Sequence, residues 1–453
     1  MYIQMDIVPT TASVPMLICV PGSLAGGALT ERVGPRRLQL ALCPVLALAF
    51  LGMPAAAWVG ARESNVQQVV LILCRVIQGL VVALLYPAVH IYPCEIADPR
   101  RRGTLGSLIQ VWASMGYLLC YVLGRYLSWI FLAVALPMAT LLPGFLGLAL
   151  AHESPLWLAR QGKTAAAREV LQCLRVSAEE VSSTICAAGQ TNAKKDRTQW
   201  QAVFQSPQKK MYFVSILVSV MVFVMTQFTG QIVISANAVR IFRSAEVGLS
   251  PSLSSILVGT TRLTFCGVGS LLLYRVPRKT LLIVGNVMAG VALIAIATFF
   301  FMRSRGHDTS GLNWLPLGSL MLYMVAFSTG IGPASSLLHV EVLPGPVRSA
   351  GSSVAATCFF ASIFLVTKTF DDVEAAFGLH SVFYAYALGC VVFCIFVIFW
   401  VPETKDRSLG EIENFWKLKY EDFQTEVNKA SNQTLLPNMQ TTQNDGSLKG
   451  NSV

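Results

Sequence analysis

Eleven stretches of roughly 20 to 25 mostly apolar residues constrain the fold of this chain more than any other feature. A helix of that length rises about 30 Å, the thickness of a bilayer's hydrocarbon core, whereas spanning strands would be about half as long and would alternate. Since lipid leaves only helices or closed barrels with paired backbone groups, the sequence predicts an all-α integral membrane protein. The stretches are residues 11–30, 38–60, 66–92, 103–124, 129–150, 211–235, 252–274, 280–302, 315–339, 347–369 and 379–401.

The composition supports that class, because 54% of the residues are hydrophobic and only 13% are charged. The net charge of +10 could indicate a nucleic-acid partner, but the basic residues lie in short clusters between apolar stretches, as membrane topology requires. The 11 Cys are scattered, without a CxxC motif or a metal-like spacing to His. We therefore expect a lipid bilayer and a small-molecule solute as partners, and no nucleic acid, metal or cofactor.

One long polar gap divides the chain into unequal parts. Residues 1–150 contain five apolar stretches, and residues 211–401 contain six. The gap at residues 151–210 includes a segment with apolar residues at helical spacing, so we expect a linker with short surface helices. The tail, residues 402–453, turns polar and is predicted to be largely disordered.

The placement of Lys and Arg predicts which ends of the helices face the cytoplasm. The short loops at 31–37, 98–103, 275–279 and 345–348 hold ten basic residues, and the alternate loops hold six. The first set of loops, together with the linker and the C-terminus, is therefore predicted to be cytoplasmic. Because the number of stretches is odd, the N-terminus is predicted to lie outside.

The two parts of the chain repeat the same charged motifs in the same order. Glu95 is followed seven residues later by Arg102, and Glu341 is followed seven residues later by Arg348. The displacement from residue 95 to residue 341 is 246, and that from the Glu at 153 to the Glu at 403 is 250. A nearly constant displacement indicates two repeated halves, which is typical of transporters that bind solute near the middle of the membrane.

These charged motifs are candidates for a gate at the cytoplasmic face. A charge at a membrane edge is costly unless it is hydrated or paired, so we expect salt bridges between the halves that hold this face closed. The alternative is that they are topology signals whose side chains reach toward water at helix ends. The candidate gating residues are Glu31, Arg32, Arg36, Arg37, Glu95, Arg102, Glu153, Arg278, Glu341, Arg348 and Glu403.

Five motifs in order resemble those of a known family: residues 27–37 (GxLxDRxGRR, with Pro35 where Arg is usual), 75–79 (RxxxG), 95–107 (EIxxxxxRGxLG), 152–158 (PESPxWL) and 402–409 (PETKGRSL). On these motifs the chain resembles the sugar porters of the major facilitator superfamily, of the insect facilitated trehalose transporter type, over residues 11–415. The resemblance implies two six-helix pseudo-repeats. It also implies transport of a sugar such as trehalose or glucose across the plasma membrane by alternating access, with facilitated diffusion as the expected mode.

The family has twelve helices, and the resemblance begins just before the second. We therefore expect the first family helix to be absent, either because the sequence is incomplete or because the protein is genuinely shortened. In proton-coupled members that helix carries an acidic residue, which cannot be assigned here.

The resemblance also assigns candidate residues for the solute site, where a sugar needs amides, hydroxyls and an aromatic face. Gln110 matches a sugar-contacting Gln, with a helix-packing amide as the alternative. The family's QQxxGIN motif reads Thr226-Gln227-Phe-Thr-Gly-Gln231-Ile, so the second Gln is retained and Thr226 replaces the first. Gln231, displaced by one position, would point about 100° away on a helix from the place of the family's Asn, so it cannot simply substitute for that Asn.

Other family positions have changed in ways that favour a different solute. The GPxPW motif reads Gly332-Pro333-Ala-Ser-Ser336, so Ser336 stands in place of the covering Trp, and the later Asn-Trp pair reads Phe359-Phe360. Each missing pairing could cost about 1 to 3 kcal/mol if a solute hydroxyl stays buried. Gly330, Gly332 and Pro333 still permit a helix bend, although they could be ordinary transmembrane Gly and Pro.

Two arginines lie within apolar stretches, where such residues usually face the bundle or water. Arg75 belongs to the family pattern. Arg262 has no partner that the sequence identifies, and it is expected either to face the solute or to be stabilised by helix carbonyls. The leading prediction is a sugar carrier, and the alternatives are a non-transporting nutrient-sensing relative or a carrier of a non-hexose solute. HExxH, GxSxG and Walker motifs are missing, so an enzyme is not expected.

Overall fold

The structure, a computed structural model, describes residues 7–59, 64–96, 102–174, 209–246, 248–344 and 348–405. Every predicted apolar stretch falls on a helix, and most predicted ends differ from the helix ends by only a few residues. Within the described ranges, nine candidate spans are long and apolar enough to cross a membrane. The chain is therefore a multi-pass membrane protein, as its composition predicts.

The first half contains five long helices, followed by two short helices of the linker. They are α1 (Ile7–Val33), α2 (Pro35–Val59), α3 (Ser64–Ile96), α4 (Arg102–Tyr126), α5 (Trp129–Leu150), α6 (Pro155–Arg160) and α7 (Thr164–Cys173). The two short helices lie in the region for which surface helices were predicted. The rest of the linker, from residue 175 to residue 208, lies outside the described residues, as does the tail from residue 406.

The second half contains six membrane-length segments, two of which are interrupted. Its helices are α8 (Lys209–Phe228), α9 (Gln231–Ala236), α10 (Ala238–Ala245), α11 (Pro251–Arg275), α12 (Arg278–Ser304), α13 (Leu315–Ala326), α14 (Gly332–Glu341), α15 (Arg348–Phe377) and α16 (Leu379–Trp400). A short 3-10 turn at Ser310–Leu312 precedes α13, and a π-helical turn at Phe327–Ile331 joins α13 to α14.

A glycine causes the break between α8 and α9. Gly230 has a φ of +83°, a conformation that residues with a Cβ rarely adopt, and the ring of Tyr386 packs directly on it. Gln227 and Gln231 therefore do not lie on one continuous helix. The expectation that Gln231 points about 100° away from the position of the family's Asn stays a prediction, because positions 231 and 232 both lie in α9, after the break.

The most extensive contacts between the two halves run along two pairs of helices. One contact runs between α1 and α15, and the other between α4 and α11. Within the first contact, the hydroxyl oxygens of Ser23 and Thr357 lie 3.0 Å apart. Within the second half, the largest buried apolar cluster extends over all of its long helices, so that half is a well-packed body of its own.

Candidate functional site

A carboxylate caps a helix at the inner end of the first half, the end predicted to be cytoplasmic. Glu153 is 7% exposed and accepts hydrogen bonds from the backbone N–H groups of Arg36 (3.0 Å) and Arg37 (3.3 Å), in the first turn of α2. Pro35, the first residue of that helix, has no N–H to satisfy. A negative charge at this position also interacts favourably with the helix dipole, so Glu153 fixes the start of α2.

The second half repeats this arrangement. Glu403 accepts hydrogen bonds from the backbone N–H groups of Arg278 and Lys279, each at 3.1 Å, at the start of α12. Basic side chains then cap the neighbouring helix in both halves. Arg36 donates to the carbonyls of Leu148 and Ala149 at the end of α5, and Lys279 donates to the carbonyl of Ile398 near the end of α16.

A second carboxylate completes each cluster. The hydroxyl of Ser154 donates to Glu95 in the first half, and the hydroxyl of Thr404 donates to Glu341 at 2.5 Å in the second. Arg160 lies 3.3 Å from Glu95, and Arg278 lies 3.5 Å from Glu341. The sequence repeat therefore corresponds to a repeated three-dimensional cluster.

The described contacts of the predicted gating residues lie within each half. Glu153 lies 3.8 Å from the side chain of Arg37, and Trp157 donates to the backbone carbonyl of Glu31, which fastens the linker to the first half. Arg32 is exposed. The side chains of Arg102 and Arg348 lie outside the described residues. The expected salt bridges between the halves thus stay a prediction, and the described pairs stabilise each half internally.

A buried arginine lies where the halves meet in the middle of the membrane. Arg262, on α11, is 5% exposed; its Nε donates to the hydroxyl of Ser114 at 3.3 Å, and its Nη1 donates to that of Ser235 at 3.1 Å. Its guanidinium lies 4.2 Å from the centre of the Tyr117 ring. With the Gln231 amide oriented so that its oxygen faces the guanidinium, that oxygen accepts from both terminal nitrogens of Arg262.

This central cluster contains the first predicted solute-binding residue. One space in the cluster is lined by residues of α4, α11 and the π-helical turn with the start of α14. They are Gln110, Ser114, Arg262, Cys266, Phe327, Ser328, Gly332 and Pro333. The side chains close on one another so tightly that the space has no room for a water molecule. The hydroxyl of Ser328 is buried and has no hydrogen-bond partner among the described residues. One polar group of the cluster is therefore not paired by the described part of the protein.

A family model described as sugar (and other) transporter matches residues 7–416 of this chain. The chain belongs to that family. It is a family of transporters and not of enzymes, which confirms the expectation from the sequence.

Several insect relatives are similar over most of the chain. The facilitated trehalose transporter of Polypedilum vanderplanki is 31% identical over 395 residues, which cover 86% of this chain and 76% of the relative. The facilitated trehalose transporter of Anopheles gambiae is also 31% identical over 395 residues, but these cover 48% of that protein. The chain therefore spans about half the length of the Anopheles relative.

Solved structures confirm the major facilitator superfamily fold. The inward open xylose transporter XylE from E. coli matches with a TM-score of 0.72 at 20% identity, over 90% of this chain and 89% of that one. The proton:xylose symporter XylE bound to 6-bromo-6-deoxy-D-glucose matches with a TM-score of 0.73 at 22% identity, over the same shares. The major facilitator superfamily fold predicted from the sequence is thereby confirmed, here with five long helices in the first half and six membrane-length segments in the second.

The other predicted solute-binding residues of this family member lie in the second half. The Thr226 hydroxyl donates to the carbonyl of Val222 and lies 2.9 Å from the hydroxyl of Ser335, the neighbour of the predicted Ser336. Ser336 is half-buried and donates to the carbonyl of Pro333 at 2.8 Å. Gln227 is 5% exposed, and its side-chain oxygen has no partner among the described residues.

The predicted helix bend coincides with the π-helical turn before Pro333. A Cβ built at Gly330 would lie 2.5 Å from the carbonyl oxygen of Leu281, so α12 approaches the backbone closely there. A Cβ at Gly332 would meet the ring of Phe327 at 2.9 Å. π-Helical turns distort helices and are common at functional sites, and this one borders the central cluster.

Aromatic rings occupy the positions where the sequence departs from the family's Asn-Trp pair. The ring centre of Tyr86, on α3, lies 5.9 Å from that of Phe359 and 5.1 Å from that of Phe360, both on α15. Phe223 lies 4.8 Å from Phe359 and stacks on His339 at 3.9 Å. The two phenylalanines thus form an apolar contact between the halves.

Sequence reasoning missed an ionic cluster at the opposite, outer end of the second half. Arg240 of α10 lies 2.7 Å from Asp371 and 2.9 Å from Glu374, both on α15. Arg303 and Glu246 form a further ion pair nearby. The signal was present in the sequence, because Asp371 and Glu374 lie on one helix face three residues apart, but the apolar pattern ended α15 at residue 369.

Proposed function

We propose that this chain carries a sugar or sugar-like solute across the plasma membrane by alternating access, as a facilitated-diffusion carrier. Membership of the sugar (and other) transporter family supports transport, and the names of the insect relatives support a sugar as the solute. The fold supports alternating access, since it consists of two pseudo-repeats with buried polar groups between them.

One observation carries the proposal: the contacts within each half differ in kind from those between the halves. All six described ion pairs join residues on the same side of the half interface, with the linker counted with the first half. Between the halves, the described hydrogen bonds are those of neutral hydroxyls and of Arg262 with Ser114. Two bodies with ion pairs inside each of them, and with mostly neutral hydrogen bonds between them among the described residues, can rock against each other around a central solute.

The predicted residues then have separate roles in the proposal. Gln110, Gln227, Thr226 and Ser336 supply amides and hydroxyls to the solute. The inner-end clusters around Glu153 and Glu403 keep the helices of each half together while that half moves. Arg102 and Arg348 are proposed to close the cytoplasmic face by contacts between the halves.

The test is time-resolved uptake of labelled glucose and trehalose, at two external pH values, in cells whose surface display of this chain is confirmed. We expect saturable uptake of at least one solute with the same rate at both pH values. Gln110→Ala should lower uptake about tenfold at low solute concentration by removing one polar contact to the solute. The matched control Gln172→Ala, an exposed amide on α7, should leave uptake unchanged.

Two results would contradict parts of this proposal. Uptake that rises as the external pH falls would replace facilitated diffusion by proton coupling. No saturable uptake of any tested solute, with the chain displayed at the surface, would overturn transport and favour a non-transporting nutrient sensor.

A further inference from the structure

Arg262 carries a charge in a place where a charge is costly. It lies in the middle of α11, a helix of 25 residues, and only 5% of the residue is exposed. A buried cation is tolerated when a negative group compensates it, because hydrogen bonds to neutral groups replace only part of the lost hydration.

The described partners of Arg262 are all neutral. They are the hydroxyls of Ser114 and Ser235, the amide of Gln231, and the face of the Tyr117 ring. Among the ion pairs of the described residues, none includes Arg262. The guanidinium is therefore held in place and oriented, but the described part of the protein does not neutralise it.

The position of Arg262 matters as much as its charge. Ser114 belongs to α4 of the first half, whereas Ser235 belongs to α9 of the second. A guanidinium held by single hydroxyls from both halves can exchange these weak contacts for a carboxylate, which accepts two parallel hydrogen bonds from the same planar group. Such an exchange would couple binding of an anion to a rearrangement of the half interface.

The neighbouring groups have the polar chemistry that the hydroxyls of a sugar need, in a space that is closed in this structure. Gln110 lines the same space as Arg262, and so does Ser328, whose hydroxyl has no partner among the described residues. These groups can pair with ring hydroxyls, while the guanidinium would pair with an acidic substituent.

We propose that Arg262 makes the central site selective for an anionic solute, and that a sugar acid with one carboxylate is the chemical class that the site takes. This inference rests on the proposed function and narrows its solute. It gives Arg262 the role of a solute-binding residue.

The experiment compares two solutes that differ at one carbon. Glucuronate and glucose share the ring and differ only in a carboxylate in place of a hydroxymethyl group. Binding of each is measured on the purified full chain in lipid nanodiscs, and uptake of each is measured in cells with confirmed surface display. We expect glucuronate to bind at least about tenfold more tightly than glucose, as a charge-assisted contact predicts.

Variants identify the group responsible. Arg262→Gln should lose at least about tenfold in glucuronate affinity and change glucose affinity little, whereas Arg262→Lys should keep part of the preference because it keeps the charge. The control Arg305→Gln removes an exposed arginine just beyond α12 and should bind both solutes as the unmodified chain does. Thermal unfolding of each variant shows whether it is folded.

The outcomes separate this inference from the proposed function. Saturable glucose or trehalose uptake that glucuronate does not inhibit would overturn the inference and leave the carrier intact. Binding of glucuronate that depends on Arg262, without uptake of any solute, would support the inference and overturn transport. If Arg262→Gln is unfolded, competition between the two solutes on the unmodified chain still decides the preference.

Discussion

The inner ends of the two halves and the interface between the halves use polar groups in opposite ways. At the inner ends, Glu153 and Glu403 each accept two backbone N–H groups from the first turn of a helix, and each lies in a cluster of paired charges. At the interface, neutral hydroxyls meet, and the charge of Arg262 has only neutral described partners.

Under the proposed alternating access, the difference indicates where the halves rearrange at the lowest cost in free energy. A hydrogen bond to a charged group contributes about 1.5 to 3 kcal/mol, whereas a neutral hydrogen bond contributes about 1 kcal/mol net. Strong pairs therefore suit bodies that stay intact, and weak pairs suit a surface that opens. Three predictions test this comparison.

The largest expected effect is at the inner end of the first half. Glu153→Gln should destabilise the protein by about 2 to 4 kcal/mol, because it removes a buried negative charge that two N–H groups of α2 share. Glu403→Gln should cost less, about 1 to 2 kcal/mol, since Glu403 is partly exposed and water can replace it. Thermal unfolding of the purified protein in detergent measures both.

The matched control for these two variants is Glu169→Gln, at an exposed position on α7. It should leave the unfolding midpoint unchanged. An equal loss in all three variants would mean that capping of α2 and α12 is not the cause.

Substituting Ala for Gly at close backbone contacts should show the same contrast between the interior of a half and the interface, with smaller losses of stability. Gly330→Ala places a methyl group 2.5 Å from the Leu281 carbonyl, within one half, and should cost about 1 to 3 kcal/mol because backbone must move. Gly27→Ala meets only the Ser353 hydroxyl at 3.0 Å, across the interface, and should cost no more than about 1 kcal/mol since that side chain can turn.

Gly267→Ala is the control for both, because a methyl group there would meet nothing within 4 Å. Of the three variants, Gly330→Ala should have the lowest unfolding midpoint. A larger loss for Gly27→Ala than for Gly330→Ala would contradict the view that the interface adapts.

The smallest effect is expected for the hydroxyl pair between α1 and α15. Ser23 and Thr357 each have a backbone acceptor in their own helix, so removing one hydroxyl leaves no buried donor unpaired. A double-mutant cycle with Ser23→Ala and Thr357→Val should give a coupling energy of about 0.5 kcal/mol. Thr260→Val, an exposed hydroxyl on α11, is the control, and a coupling energy above about 2 kcal/mol would show that the interface is not weak.

Local signals were enough to predict the helices and the repeat. Apolar stretches must become helices in lipid, and the repeated Glu and Arg positions follow from chain order alone. The same signals could not predict which groups pair. Glu153 was a candidate for a salt bridge between the halves, and its described partners are the backbone N–H groups of Arg36, Arg37 and Ser154 and the side chain of Arg37, all on its own side of the interface.

The sequence by itself determined that this chain is a multi-pass helical membrane protein of two repeated halves, because hydrophobic length and motif order are properties of the chain alone. Only the tertiary structure decided the surroundings of Arg262. Ser114, Ser235 and Gln231 are far from it in sequence, and they meet it because α4, α9 and α11 converge where the halves join. Gln231 lies directly after the break at Gly230, at the start of α9.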